Sequence, residues 1–307
     1  MFALDRLEAL NAVWRHGSLA AAARVLHVTP SAVSQQLAKL EREVGADLLV
    51  RHGRGVRLTP AGLVLAQRAE RVLDEIRAAR SELAALAGEV AGPIHVGAIP
   101  SGVHTIVTTA VTALVSAHPR VEPTIAEVEP EQALARLADG TLDVAVVESW
   151  ENLPLPRQER TAWTRLLDEP VHAALPRDHR LAGARSVAVR DLAEETWVGW
   201  SSGSRAHQWL EQTLRGHGVA DPRIRYTVNG FSTQFAVIAN LSAVALIPSM
   251  AFVVAPPTVT AVPLLPALRR TLYAVRSHVH SRPAVTACLT ALTDAALAWS
   301  PPAHDPA

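Results

Sequence analysis

Residues 17–37 constrain the fold of this chain more than any other window. They read Gly17-Ser18-Leu19-Ala20-Ala21-Ala22-Ala23-Arg24-Val25-Leu26-His27-Val28-Thr29-Pro30-Ser31-Ala32-Val33-Ser34-Gln35-Gln36-Leu37. Before them, Leu4, Leu7, Leu10 and Val13 recur at helical spacing and give a first helix an apolar face. Gly17 suits the left-handed conformation that ends such a helix, and Ser18 can cap the next one. The alanine run lets two helices approach closely. Thr29 offers a second N-cap oxygen, with Pro30 at the first helical position, where a missing N–H is harmless. Val33, Leu37 and Leu40 then fall on one face, and Ser31, Ser34 and Gln35 are left on others. Two short helices joined by a tight turn, the second with a polar outer face, have the geometry that enters a DNA major groove. An ordinary hairpin in an all-α domain is the plainer alternative, and two caps plus a glycine stop in so short a window argue against it.

Charge agrees locally but not globally. The chain holds 29 basic and 29 acidic residues and is neutral overall. Up to residue 60, Arg6, Arg15, Arg24, Lys39, Arg42, Arg51, Arg54 and Arg57 outweigh Asp5, Glu8, Glu41, Glu43 and Asp47. Arg51, Arg54 and Arg57 flank two glycines, as a β-hairpin reaching phosphates requires. A solvated arginine loop would look the same in isolation. Next to the helix pair, the hairpin wing is favoured.

These residues resemble the winged helix-turn-helix domain of LysR-type transcriptional regulators. The resemblance is carried by Leu10-Asn11-Ala12-Val13, by Gly17 to Ala23, by Val28 to Leu37, by Leu40-Glu41 and by Arg51 to Gly62. Departures are few: Pro30-Ser31 where many members have Gln-Pro, Gln35 where they have Arg, and Leu49 where they have Phe. Several fall on the expected base-reading face, so the target sequence stays open. The resemblance implies DNA contacts from Ser18, Thr29, Pro30, Ser31, Ser34, Gln35, Lys39, Arg51, Arg54 and Arg57, with double-stranded promoter DNA as the partner.

Residues 61–88 read as one long helix. Leu65, Ala69, Val72, Ile76, Ala79, Leu83 and Leu86 follow at alternating spacings of four and three, which is a heptad seam and calls for a partner helix. A helix lying on its own domain would show a broader stripe. The seam therefore predicts dimerisation through Leu65, Val72, Ile76, Leu83 and Leu86, giving a homodimer or homotetramer with two or more reading heads.

From residue 92 the pattern changes to strands alternating with helices. Strands are expected at 94–99, 121–128, 142–147, 172–175, 196–200, 244–248 and 271–275, and a terminal helix at 283–299. Such alternation indicates a parallel sheet covered on both faces. Ile94 to Pro100, Ala117 to Val121, Leu142 to Val147, Leu175 to Ala182 and Ala245 to Pro248 resemble the effector domain of the same family. Asn240-Leu241-Ser242-Ala243 departs from it, standing where a glycine-rich stretch is usual. The expected fold class is thus α/β with an N-terminal all-α winged helix-turn-helix domain (1–60, the helix-turn-helix at 18–37), a linker helix (61–88) and a two-subdomain, periplasmic-binding-protein-like (type 2) effector domain (92–300). Subdomain I would take 92–162 and 268–300, subdomain II 163–267, and 301–307 would be a disordered tail.

Ligands of open α/β sheets bind beyond strand carboxyl ends, often at helix N-termini. Ser101 and Gly102 hold such a place in one subdomain; Trp200, Ser201, Ser202 and Ser204 hold it in the other. Glu148 with Trp150 could meet an amine or hydroxyl, and Phe231 and Thr233 supply a wall. The hydroxyls and N–H groups suit a carboxylate or similar anion, although each serine could equally be a helix cap with no ligand. No cofactor is implied. Cys288 is the only cysteine, which excludes an intrachain disulfide. His278 and His280 would share one strand face, with no carboxylate or cysteine adjacent to complete a metal site. No catalytic motif and no apolar span of membrane length appear, so the reading is a cytoplasmic regulator and not an enzyme, with RNA polymerase a further partner at a promoter. A solute-binding protein would need an export signal and no reading head. An enzyme of the same two-lobed fold would need a catalytic group and turnover.

Overall fold

A computed structural model describes residues 2–52, 55–85, 90–278 and 282–300. The chain divides into two compact units, one through Pro93 and one from Ile94.

The first unit opens with α1 (Leu4–His16), α2 (Leu19–Val25) and α3 (Pro30–Val44). Gly17 ends α1 at φ 72°, its N–H donating to the Val13 carbonyl at 2.9 Å. Ser18 Oγ accepts the Ala21 amide at 3.1 Å and Thr29 Oγ1 the Ala32 amide at 3.2 Å, so both expected caps form. His27 holds the turn between α2 and α3 at φ 55°, which its sequence context did not announce. Leu7, Leu10, Val13, Ala22, Val33, Leu37 and Leu40 close the core. Strands β1 (Leu49–His52) and β2 (Gly55–Leu58) pair antiparallel, Leu49 opposite Leu58 and Arg51 opposite Val56. Glu41 fixes the approach to this hairpin, one oxygen accepting the amides of Leu48 (2.9 Å) and Leu49 (3.1 Å).

Helix α4 (Pro60–Ala85) starts at Thr59, whose Oγ1 accepts the Gly62 amide at 2.9 Å. A Cβ on Gly62 would collide with the Leu48 carbonyl, so glycine is what lets α4 meet the hairpin. The heptad seam is not one stripe. Ala66, Ala69 and Leu73 are buried and Leu65 packs on the core of its own unit, whereas Val72 and Leu83 stand 45% and 68% exposed. The helix serves its own domain over its first turns and leaves apolar side chains uncovered further along, a division that a bare heptad count misses. Leu86 and the tail 301–307 lie outside the described residues.

The second unit is built on a six-stranded sheet of order β4-β3-β5-β10-β6-β9. In chain order it runs β3 (Gly92–Ala98), the short α5 (Pro100–Gly102), a π-helical turn (Val103–Val107), α6 (Thr108–Ala117), β4 (Val121–Glu127), α7 (Pro130–Ala138), β5 (Val144–Trp150) and β6 (Thr161–Pro176). Then come β7 (Trp197–Gly199), α8 (Arg205–Gly216), β8 (Ile224–Thr227), α9 (Phe231–Leu241), β9 (Ala245–Pro248), a 3-10 helix (Ser249–Val254), β10 (Val259–Ser277) and α10 (Pro283–Ala298). The expected parallel sheet is corrected to a mixed one. β3 and β5 run parallel, but β10 is antiparallel to both β5 and β6, and β6 to β9. The segments 172–175 and 271–275 are not short strands of their own but stretches of β6 and β10, which are 16 and 19 residues long and pass from one subdomain into the other. The expected divisions at 162/163 and 267/268 both fall inside these strands. At the glycine-poor segment, Ser242 takes φ 50° as the cap of α9, so a serine occupies the left-handed position.

Candidate functional site

The centre of the second unit lies where β6 and β10, paired antiparallel, run side by side from one subdomain into the other. Arg270 of β10 lies opposite Glu169 of β6 and opposite Trp150 of β5. Alternation along β10 turns Arg270, Leu272 and Ala274 inward, and all three are buried. An arginine so placed needs anionic and acceptor partners for every direction of its fork. Arg270 Nε donates to Glu169 Oε1 at 2.6 Å, Nη1 donates to Glu148 Oε2, and Nη2 donates to Ser101 Oγ at 2.7 Å. The second Glu169 oxygen accepts the Met250 amide at 2.6 Å. The guanidinium also sits 5.7 Å from the Trp150 ring centre. Burial works against its charge, but Glu169 and then Glu148 outweigh that and hold Arg270 above its ordinary value. Burial likewise pushes Glu169 upward, opposed chiefly by Arg270 and by the Met250 amide. With both carboxylate oxygens accepting N–H donors, the ion pair is the state that this geometry satisfies.

Above this triad lies a cavity of about 590 Å³ between the two subdomains, within the range of small-molecule sites. Of the residues singled out in the sequence, Ser101, Glu148, Trp200, Ser204 and Phe231 line it. Others do not reach it. Trp150 is 2% exposed and stacks on Trp209 at 3.8 Å, supporting the wall from behind. Gly102 is buried at the back of α5, and Ser202 and Thr233 are exposed away from the lining. Ser201 stands one step behind, donating to Asn229 Oδ1 at 2.7 Å, and Asn229 does line the cavity. Of the serines expected to greet an anion, the two on the lining are engaged already: Ser101 by Arg270, and Ser204 as the cap of α8, accepting the His207 amide at 3.1 Å.

Sequence reasoning missed Arg270, Glu127, Glu129 and His104, all on the lining. For Arg270 a signal existed, since a charged residue in phase with Leu272 and Ala274 belongs to the buried face of its strand. Glu129 is an exposed residue whose carboxyl turns toward the cleft wall; partial burial, then the charges of Glu148 and Glu131, raise it above the usual carboxylate range.

In the first unit, Thr29, Pro30, Ser31, Ser34, Gln35 and Lys39 are all exposed on α3 and its cap, with Thr29 and Ser31 hydroxyls 2.9 Å apart. Ser18 is occupied as the α2 cap. Arg51 and Arg57 lie on opposite strands of the hairpin, and Arg54 lies outside the described residues, as does His280. Among the described residues, no group of His, Cys, Asp and Glu could hold a metal ion, and no helix is long and apolar enough to cross a membrane.

Residues 4–63 match the model of the bacterial regulatory helix-turn-helix protein, lysR family, and residues 87–297 match the LysR substrate binding domain. A hydrogen peroxide-inducible genes activator of Dickeya chrysanthemi is 32% identical over 80% of this chain and 78% of its own. A RuBisCO operon transcriptional regulator of Allochromatium vinosum is 29% identical over 70% of this chain and 69% of its own. Among solved structures, full-length CbnR complexed with its target DNA has a TM-score of 0.71 at 20% identity, covering 95% of this chain and 99% of that one. A full-length OxyR variant from Pseudomonas aeruginosa has a TM-score of 0.66 at 24% identity, covering 98% and 99%. The last two likenesses concern the fold alone.

The triad makes a testable demand on stability. Arg270→Met leaves Glu169 buried without its cation, which typically costs about 3–5 kcal/mol. Glu169 then ionises only well above its unfolded value of about 4.3, so the variant keeps its stability below that pH and loses it as pH rises. Urea unfolding at pH 5 and pH 8 should show a deficit against the parent that is larger at pH 8. An equal deficit at both would contradict the account.

Proposed function

The chain belongs to the LysR family of transcriptional regulators, and from that premise we propose how its two units divide the work. The first unit reads DNA. Thr29, Ser31, Ser34 and Gln35 meet base edges, while Pro30 and Ser18 shape the approach and Lys39, Arg51, Arg54 and Arg57 hold phosphates. Val72, Ile76 and Leu83 on α4 mate with a second copy, with Leu86 continuing the seam, so that two heads address two half-sites. The observation that supports this reading is the row of exposed polar side chains on α3 beside a basic hairpin.

The second unit senses a small molecule in the cavity over Arg270. The family's substrate-binding domain and the cavity's place beside the paired β6 and β10 support that assignment. A ligand touching Glu148 bears on the same guanidinium that ties β6 to β10. If it favours one cleft geometry by ~1–3 kcal/mol, the balance between regulator states shifts several-fold to a hundred-fold. The ligand is bound and released without chemistry.

Some relatives are named for induction by hydrogen peroxide. A thiol sensor of peroxide needs an accessible thiolate. Here Cys288 is the only cysteine and is buried in α10; burial, with Asp143 adding to it, pushes its thiol up to about 12. Peroxide sensing through a thiol therefore does not transfer to this chain, which favours the cleft as the sensing element.

Three outcomes check these assignments. Gln35→Ala should narrow the gap between operator and mismatched DNA by about 1–3 kcal/mol. Arg57→Ala should instead weaken binding to all sequences alike and lower the salt slope by about one per protomer. Fluorescence anisotropy across a salt series separates the two, and uniform loss from both would sink the division of labour. Millimolar hydrogen peroxide should leave operator affinity and intact mass unchanged. A mass gain at Cys288 together with altered affinity would reverse that conclusion.

A further inference from the structure

The charge lining the cavity selects among ligands. Resting on the cleft reading above and deepening it, we propose that the effector is a small organic cation, bearing ammonium or guanidinium groups on an apolar body.

Three carboxylates face the cavity: Glu127 at the end of β4, Glu129 before α7, and Glu148 on β5. The guanidinium on the same lining, Arg270, is already neutralised, because Glu148 and Glu169 both pair with it. Neither Glu127 nor Glu129 has an ion-pair partner among the described residues. Arg205, the next cation outward, is turned elsewhere: it pairs with Glu131 at 3.7 Å and donates to the Leu153 carbonyl at 2.9 Å. Even with His104 counted as positive, Glu127, Glu129, Glu148 and Glu169 outnumber Arg270 and His104. An anion entering here meets side chains whose formal charges sum to a negative value, and its natural anchors, Ser101 Oγ and Arg270, already bond to each other.

The remaining lining fits the same class. Trp200 and Phe231 stand edge to face at 5.9 Å and 87°, an aromatic corner of the kind that retains cations and the apolar chains bearing them. Gln132 and Asn229 add neutral hydrogen-bonding groups. The carboxylates are spread along the wall and do not converge, and no metal-holding group exists among the described residues. A volume of about 590 Å³ suits a molecule that spans the acids. Glu127 and Glu129 stand exposed on the lining without a cation of their own, and a positively charged ligand is what would pair with them.

Calorimetry on the full-length protein without DNA tests this with a matched four-carbon series: 1,4-diaminobutane, 1-amino-4-guanidinobutane, succinate and 1,4-butanediol. The two cations should bind saturably and more weakly as salt rises, and the dianion and the diol should not bind. Glu127→Gln with Glu129→Gln, both exposed positions, should weaken the cations at least tenfold. Ser232→Trp, which obstructs the cleft, should abolish binding. Succinate binding that Ser232→Trp blocks, with no cation binding, would overturn the cation assignment and leave the cleft reading standing. Cation binding that Ser232→Trp leaves intact would remove the ligand from the cleft altogether. No binding from any of the four would also overturn the assignment.

Discussion

Arg270 between Glu148 and Glu169 is the interaction on which the second unit depends. A buried ion pair is weak evidence for stability, because desolvation consumes much of the attraction. Its value here is geometric. Glu169 and Arg270 face each other where the two longest strands of the chain pass from one subdomain into the other, and the fork of Arg270 also reaches β5 and α5. The Met250 amide ties in the 3-10 helix after β9. Five elements are thereby referred to one guanidinium, and Glu148, the arm that faces the cavity, is joined through it to the β6–β10 pair.

The aromatic side chains extend that reference point outward. Trp150 lies beneath Arg270 and stacks on Trp209, Trp209 meets Trp200 edge to face at 6.2 Å, and Trp200 meets Phe231 in turn. Rings carry large contact area with few rotatable bonds, so this row forms a stiff wall from the triad to the cleft. Sequence reading placed Trp150 in the site itself. Its ring belongs instead to the support, and Trp200 is the tryptophan that meets the cavity.

How much was legible depended on range. The first unit is written in local chemistry: Gly17, Ser18, Thr29 and Pro30 each act within a few residues of themselves, and all four behave as their spacing implies. In the second unit, strand positions were legible but their continuity was not. Asp168, Glu169 and Pro170 interrupt the apolar pattern of β6, and Pro263 and Pro266 that of β10, so each long strand read as a short one. Arg270 and Glu169 are 101 residues apart, and only strand register reveals them as a pair. The cleft's acidity was hidden for the same reason, since Glu127, Glu129 and Glu148 line one cavity only once β3, β4 and β5 are side by side. The heptad seam of α4 was legible as a repeat, but not as shared between the domain's own core and an uncovered face.

If the Arg270 triad sets the relation of the two subdomains across the cleft, removing its charges changes the distance between residues on the cavity lining. Spin labels at positions 132 and 232, on α7 and α9 of the cavity lining, report that relation directly, and the native Cys288 is buried. The test compares the parent with a variant in which Glu148, Glu169 and Arg270 are all replaced by apolar residues, which removes the charges without leaving one unpaired. The account predicts a narrow distance distribution in the parent and a shifted or broadened one in the variant. Identical distributions would contradict it.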